Sequence, residues 1–237
     1  MQEHKHPAMR SPHPHRRRRH IPLRFWASAV SLVIILVYLI FPSTNTPDRS
    51  DAPGTPSLPS DHSLLSAPIP FSQIQLPDNV VVDLIPQNEF SRPGTPLDTV
   101  SGVVIHYVGN PNTTAEQNRS YFGNLANTGE TYASSHFIIG MDGTVICAVP
   151  LDEVAYCSNH RNIDTISIEC CHPDTSGRFT QETYDALVEL VSWLCQLYGL
   201  EQEDVIRHYD VTGKLCPKYY VDHPDAWDTF LRELSVS

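Results

Sequence analysis

Two short apolar stretches of this 237-residue chain each lead to a histidine: Val103, Val104 and Ile105 directly before His106, and Val205 and Ile206 before Arg207 and His208. Apolar runs of this length read as buried strands. Two strands that both end in histidine can bring the rings together at the edge of one sheet.

The second stretch continues as R-H-Y-D-V-T-G-K-L-C-P over residues 207–217. Cys216 follows His208 by eight residues, a spacing that fits a return on a loop, with Gly213 easing the turn. Imidazole and thiolate are both good ligands for a borderline-soft ion such as zinc. A catalytic zinc site usually has three protein ligands and an open position. His106 is the best third candidate. Lys214 lies two residues before Cys216, where a cation could stabilise negative charge developing on a carbonyl oxygen. The plain alternative, a core histidine and an inert thiol, would win for either residue taken alone.

The remaining elements alternate. Residues 100–107 form the first strong strand. Thr113 or Thr114 can cap a helix over residues 115–125, with Glu116 in its first turn. Residues 136–140 and 144–149 read as strands joined by Met141, Asp142 and Gly143, where Asp-Gly supplies the turn. Residues 163–171 are another strand. Thr180 caps the clearest helix, on which Tyr184, Leu187, Val188, Val191, Cys195 and Tyr198 recur on one face, and Gly199 stops it. A short strand at 204–207 and a helix at 225–234 complete an α/β layer.

Four blocks carry a resemblance: V-V-I-H-Y, then S-S-H-F-I-I-G-M-D-G-T-V, then D-T-I-S-I-E, then R-H-Y-D-V-T-G-K-L-C-P. In this order they are similar to the zinc-dependent N-acetylmuramoyl-L-alanine amidases. That group includes phage T7 lysozyme, the bacterial amidases of wall recycling and the peptidoglycan recognition proteins. The resemblance covers about residues 76–237. It implies a mixed central sheet flanked by helices and one zinc ion per chain. It implies His106, His208 and Cys216 as ligands, Cys216 standing where the family varies between Asp and Cys. The substrate implied is peptidoglycan or its muropeptides, cut between N-acetylmuramic acid and L-alanine by a monomeric catalytic domain. The alternative it leaves is a non-catalytic peptidoglycan-binding module.

Glu169 ends the apolar run T-I-S-I-E. A carboxylate there needs a reason, because burying it unpaired is costly. The resemblance places it where the recycling-type amidases carry their catalytic Glu. The chain departs from T7 lysozyme just before the H-F-I-I block, where Ser135 replaces a catalytic Tyr. That role is then absent or moved to Glu169, and Ser135 lines the site at most. His160 and Asn162, in the polar loop S-N-H-R-N, and His172 are candidate substrate contacts. The lead-in N-E-F-S-R-P-G at 88–94 is similar to that of secreted Gram-positive members.

Residues 1–24 hold seven Lys or Arg against one acid, a balance of +6; since the whole chain is −11, the rest carries −17. Residues 25–41 follow without a charge, and as a helix these 17 residues would span roughly 25 Å, enough to cross a bilayer at the short end. Arginines before such a run keep the N-terminus cytoplasmic and place the remainder outside. The run is longer than a usual signal-peptide core and no A-x-A-like site follows closely, so a retained, single-pass signal anchor is expected over a cleaved signal peptide. The basic arm abuts this span, which disfavours a nucleic-acid partner. Residues 42–75, rich in Pro and Ser, read as an extended tether, leaving 76–237 as the catalytic domain.

Six cysteines complete the inventory. Spacing assigns no disulfide among them. Cys170 and Cys171 should face opposite sides of their strand, and Cys195 should be a small core residue.

Overall fold

In the computed structural model of the protein, residues 68–236 are the described part. The expected anchor at 25–41, the basic arm and most of the tether lie outside the described residues. Among the described residues, no helix is long and apolar enough to cross a membrane.

A six-stranded mixed sheet forms the centre, in the order β1 (Val80–Val82), β4 (Val145–Cys147), β3 (Phe137–Ile139), β5 (Ile166–Cys170), β2 (Val103–Tyr107), β6 (Val205–Arg207). Only the β3–β4 pair is antiparallel, a hairpin closed at Gly143; the other neighbours run parallel. β2 lies between β5 and β6, so the two stretches that lead to the histidines are neighbours.

Strand alternation divides the side chains between two faces. Val103, Ile105, Phe137, Ile139, Ile166, Ile168 and Cys170 pack under α2 (Gln181–Tyr198) and the last helix, Pro224–Glu233. Ile138, Ile146 and Cys171 pack on the other face with α1 (Ala115–Thr128). Cys170 and Cys171 do face opposite sides, and Cys195 is buried in the α2 core.

The helices begin where the caps require. Thr114 accepts from the Gln117 amide while the Gln117 side chain accepts from the Thr114 amide, a reciprocal capping box. α1 runs past residue 125 to Thr128, through an exposed last turn that adds nothing to the buried apolar stripe, and it stops at Gly129 with φ 60°. Thr180 caps α2, and Gly199, at φ 65°, ends it. The buried face of α2 is rotated from the expected one. Thr183, Ala186, Leu190 and Leu194 join Leu187, Val191, Cys195 and Tyr198 inside, while Tyr184 and Val188 lie at its margin. Thr183 is tolerated there because its hydroxyl donates to the Gly140 carbonyl at 2.8 Å.

Three expectations are corrected in detail. The strand expected at 163–171 is Ile166–Cys170, because Asn159–Ile163 turn as a 3-10 helix. His208 does not end a strand. It opens a short helix, α3 (His208–Thr212), since Asp210 accepts from the Arg207 amide at 2.9 Å and folds the chain back. Finally, Ile69, Phe71 and Ile74, in the stretch assigned to the tether, pack against the core. Proline-rich composition obscured these three apolar residues.

Candidate metal centre and active site

The site lies at the C-terminal ends of the parallel strands, on the face that carries α1. Register sets its first pair: His106 of β2 stands opposite Glu169 of β5. The Val103–Val205 pairing aligns β6 with β2, so the chain leaves β6 directly into His208. The His106 and His208 ring centroids are 4.6 Å apart. After α3 the chain reverses at Gly213, whose φ of 77° lies in the left-handed region. The Tyr209 amide donates to the Cys216 carbonyl at 2.8 Å and closes the loop. Cys216 Sγ thereby comes to 3.8 Å from His106 Nδ1.

One donor atom from each of His106, His208 and Cys216 lies within 4.8 Å of the others, and all three residues are buried. The far nitrogens of both rings are held. His106 Nε2 meets Ser158 Oγ at 3.1 Å, and His208 Nε2 donates to Asn159 Oδ1 at 2.8 Å. With Nε2 protonated, the lone pair of His208 sits on Nδ1, a buried atom with no hydrogen-bond partner. A buried orphan lone pair beside a second imidazole and a thiol is the arrangement a tetrahedral cation completes. The electrostatics agree. Burial, then His208 and Lys214, hold His106 well below the usual histidine range. Burial, then Lys214, lowers His208 to about 4. Both rings are thus neutral donors at pH 7. Burial, then Glu169, pushes the Cys216 thiol up to about 12, so a cation must accompany its thiolate. The donor set therefore fits zinc.

Glu169 is pushed up to about 7, chiefly by burial, with the Cys157 thiol and Lys214 pulling the other way. Its Oε1 accepts from Cys157 Sγ at 3.6 Å, and Oε2 is buried without a partner. Above these groups opens a cleft of about 320 Å³. Glu169, His106, His208 and the exposed Lys214 share it with Cys157 and Asn159, and Tyr132 and Tyr156 line its wall.

The substrate-contact candidates fare unevenly. Asn162 lines the cleft, but its amide oxygen is engaged by the Cys157 and Ser158 amides at 3.1 and 2.6 Å. His160 is exposed and outside the lining. His172 is also outside it: the ring is buried, stacked on Tyr107 at 5.0 Å, with Nδ1 at 2.7 Å from the Asp174 carbonyl oxygen. Ser135 donates internally to the Phe137 carbonyl, and Ser134 lines the cleft in its place. Sequence reading missed Cys157, Ser158 and Asn159. The polar loop was the right signal, but its turn presents these three residues to the site rather than His160.

Residues 96–219 match the Amidase_2 family, described as N-acetylmuramoyl-L-alanine amidase. The chain is 32% identical over 167 residues to the N-acetylmuramoyl-L-alanine amidase BlyA of Bacillus subtilis (strain 168), covering 62% of this chain and 44% of that protein. It is 32% identical over 169 residues to the N-acetylmuramoyl-L-alanine amidase CwlL of Bacillus licheniformis, covering 65% of this chain and 46% of the other. The chain thus spans just under half the length of these relatives. Among solved structures, the catalytic domain of XlyA superposes with a TM-score of 0.54 at 24% identity, covering 65% of this chain and 98% of that one. The structure of PlyL gives 0.57 at 20% identity, covering 67% and 97%. At these identities the likeness establishes the fold.

Proposed function

Because the chain belongs to the N-acetylmuramoyl-L-alanine amidase family, we propose that it is a zinc hydrolase that cleaves the amide between N-acetylmuramic acid and L-alanine in peptidoglycan. The observation that carries the reading is the convergence of three buried donors, one of them an orphaned imidazole lone pair, beside a carboxylate with a free oxygen. His106, His208 and Cys216 would hold one zinc ion. When bound, such an ion supplies Lewis acidity, which polarises a carbonyl and acidifies water. Asn159 Oδ1 sets the tautomer of His208, and Ser158 and Asn159 together hold the orientation of the two rings.

Glu169 is the general base. A pKa near 7 suits a group that must accept a proton from water and then release it to the departing L-alanine nitrogen. Its position opposite His106 puts it within reach of whatever reacts there. Lys214, at the cleft mouth, brings a positive charge toward the carbonyl oxygen as it becomes an oxyanion. Both residues act on the same bond, the one moving the proton and the other holding the charge.

The N-terminal residues extend the reading. Residues 25–41, preceded by arginines, anchor the protein in the membrane, and the acidic domain lies outside it, where peptidoglycan is. Residues 42–67 supply reach. Fractionation with added protease checks this part: a domain released without detergent would remove the anchor.

The full chain should be purified, its metal content measured, and the protein incubated with peptidoglycan while new L-alanine amino termini are counted. One zinc per chain with new alanine ends, both lost on chelation, is the expected result. Bound zinc with no cleavage of any muropeptide would favour a binding module. No zinc would overturn the ligand assignment.

A further inference from the structure

Cys157 is not used by the mechanism above, yet it faces into the same cleft. Its Sγ, a carboxylate oxygen of Glu169 and a nitrogen of His106 lie within 4.8 Å of one another, a second three-donor group that shares only His106 with the first. Glu169 Oε2 is buried and unpartnered. A thiol, a carboxylate with a spare oxygen and water from the open cleft together form a donor set that thiophilic divalent ions accept.

We propose that Cys157 and Glu169 form a second, inhibitory cation subsite for a thiophilic divalent ion such as cadmium or excess zinc; it rests on the reading that His106, His208 and Cys216 hold the first ion. With His106 committed to that first ion, the second is held by Cys157 Sγ and Glu169, with water in its remaining positions. Thiolate is the ligating form, so binding releases the Cys157 proton to solvent. The nearby Lys214 and the first ion both repel it, so the second ion binds more weakly than the first. Its occupancy takes the Glu169 carboxylate out of proton transfer. Hydrolysis is therefore lost only once metal exceeds one equivalent.

The loop explains why the subsite is built rather than incidental. Asn162 Oδ1 grips the Cys157 and Ser158 amides, and Asn159 adopts φ 56°, so the backbone that carries the thiol is held by the same clasp that orients both histidines. The other cysteines apart from Cys216 are buried: Cys147 and Cys170 in strands, Cys171 just after β5, and Cys195 in α2.

The test is a cadmium titration of the metal-free full chain, read by thiolate-to-metal charge-transfer absorbance and by bound ions per chain. Histidines in residues 1–24 can bind cadmium without that absorbance, so the thiolate signal is the count. The wild type should show two thiolate-bound equivalents, the first tight and the second weaker. Cys157→Ser and Glu169→Gln should each lose the second and keep the first, while Cys216→Ser should lose the tight one and keep the weak one. A single thiolate-bound equivalent in the wild type, or a second that survives Cys157→Ser, overturns the proposal. A tight equivalent that survives both Cys216→Ser and His208→Ala overturns the first-site reading instead, whatever Cys157 does.

Discussion

At the scale of single residues, the site depends on groups whose protonation is set by burial. Glu169→Gln keeps the shape and removes the proposed base; turnover should fall by about 10²–10⁴ while bound zinc stays at one per chain. In the wild type, kcat/KM should rise with pH on an acid limb as Glu169 loses its proton, at a pH below the value near 7 of the metal-free site because a bound cation favours the carboxylate. Stability responds in the opposite sense. In the metal-free protein the folded state keeps a proton on Glu169 between about 4.5 and 7, where the unfolded chain has lost it. The contribution of Glu169 is thus complete below 4.5 and is lost as pH rises through 7, and Glu169→Gln should remove that downward slope in chemical denaturation. Lys214→Ala should lower kcat by about 10²–10³ with zinc retained; full activity would remove its role. These residues were nameable from the sequence because each ends an apolar run or sits within ten residues of another donor. Ser158 and Asn159 were not, since they contact His106 and His208 across 52 and 49 residues and no local pattern encodes such a meeting.

At the scale of elements, two features set the geometry. The 3-10 turn Asn159–Ile163 and the residues just before it are the clasp over the histidines. Asn162→Ala frees the Cys157 and Ser158 amides and should weaken zinc about 10–100-fold in a competition titration, with little change in the far-UV spectrum. Helix termini are the other feature. A Cβ at Gly199 would meet nothing within 4 Å, so the cost of Gly199→Ala is purely conformational, about 1–2 kcal/mol in denaturant unfolding. Helix starts were legible because capping is local: Thr114 and Thr180 are followed three residues later by the amides they accept from. The buried face of α2 was less so. Apolar residues surround much of that helix, and only the sheet beneath decides which stripe is turned inward.

At the scale of the whole molecule, the proposed zinc site links metal to fold. A cation bound by three buried donors from β2, the start of α3 and the loop after it stabilises only the state that brings them together. With free zinc at 1,000 times Kd the gain is about 4 kcal/mol, so chelation should lower Tm by roughly 10 °C for a domain of this size, checked by calorimetry with and without chelator. An unchanged Tm would mean that the three donors hold no ion. The sequence by itself determined the alternation of strands and helices, the caps, and which side chains carry ligand chemistry, because periodicity, capping and residue type are properties of short stretches. Only the tertiary structure decided that β2 lies between β5 and β6, that Glu169 stands opposite His106, and that Cys157, Ser158 and Asn159 close over the rings. Those are contacts between residues far apart along the chain. They are selected by the burial of two sheet faces at once, and no short stretch contains that information.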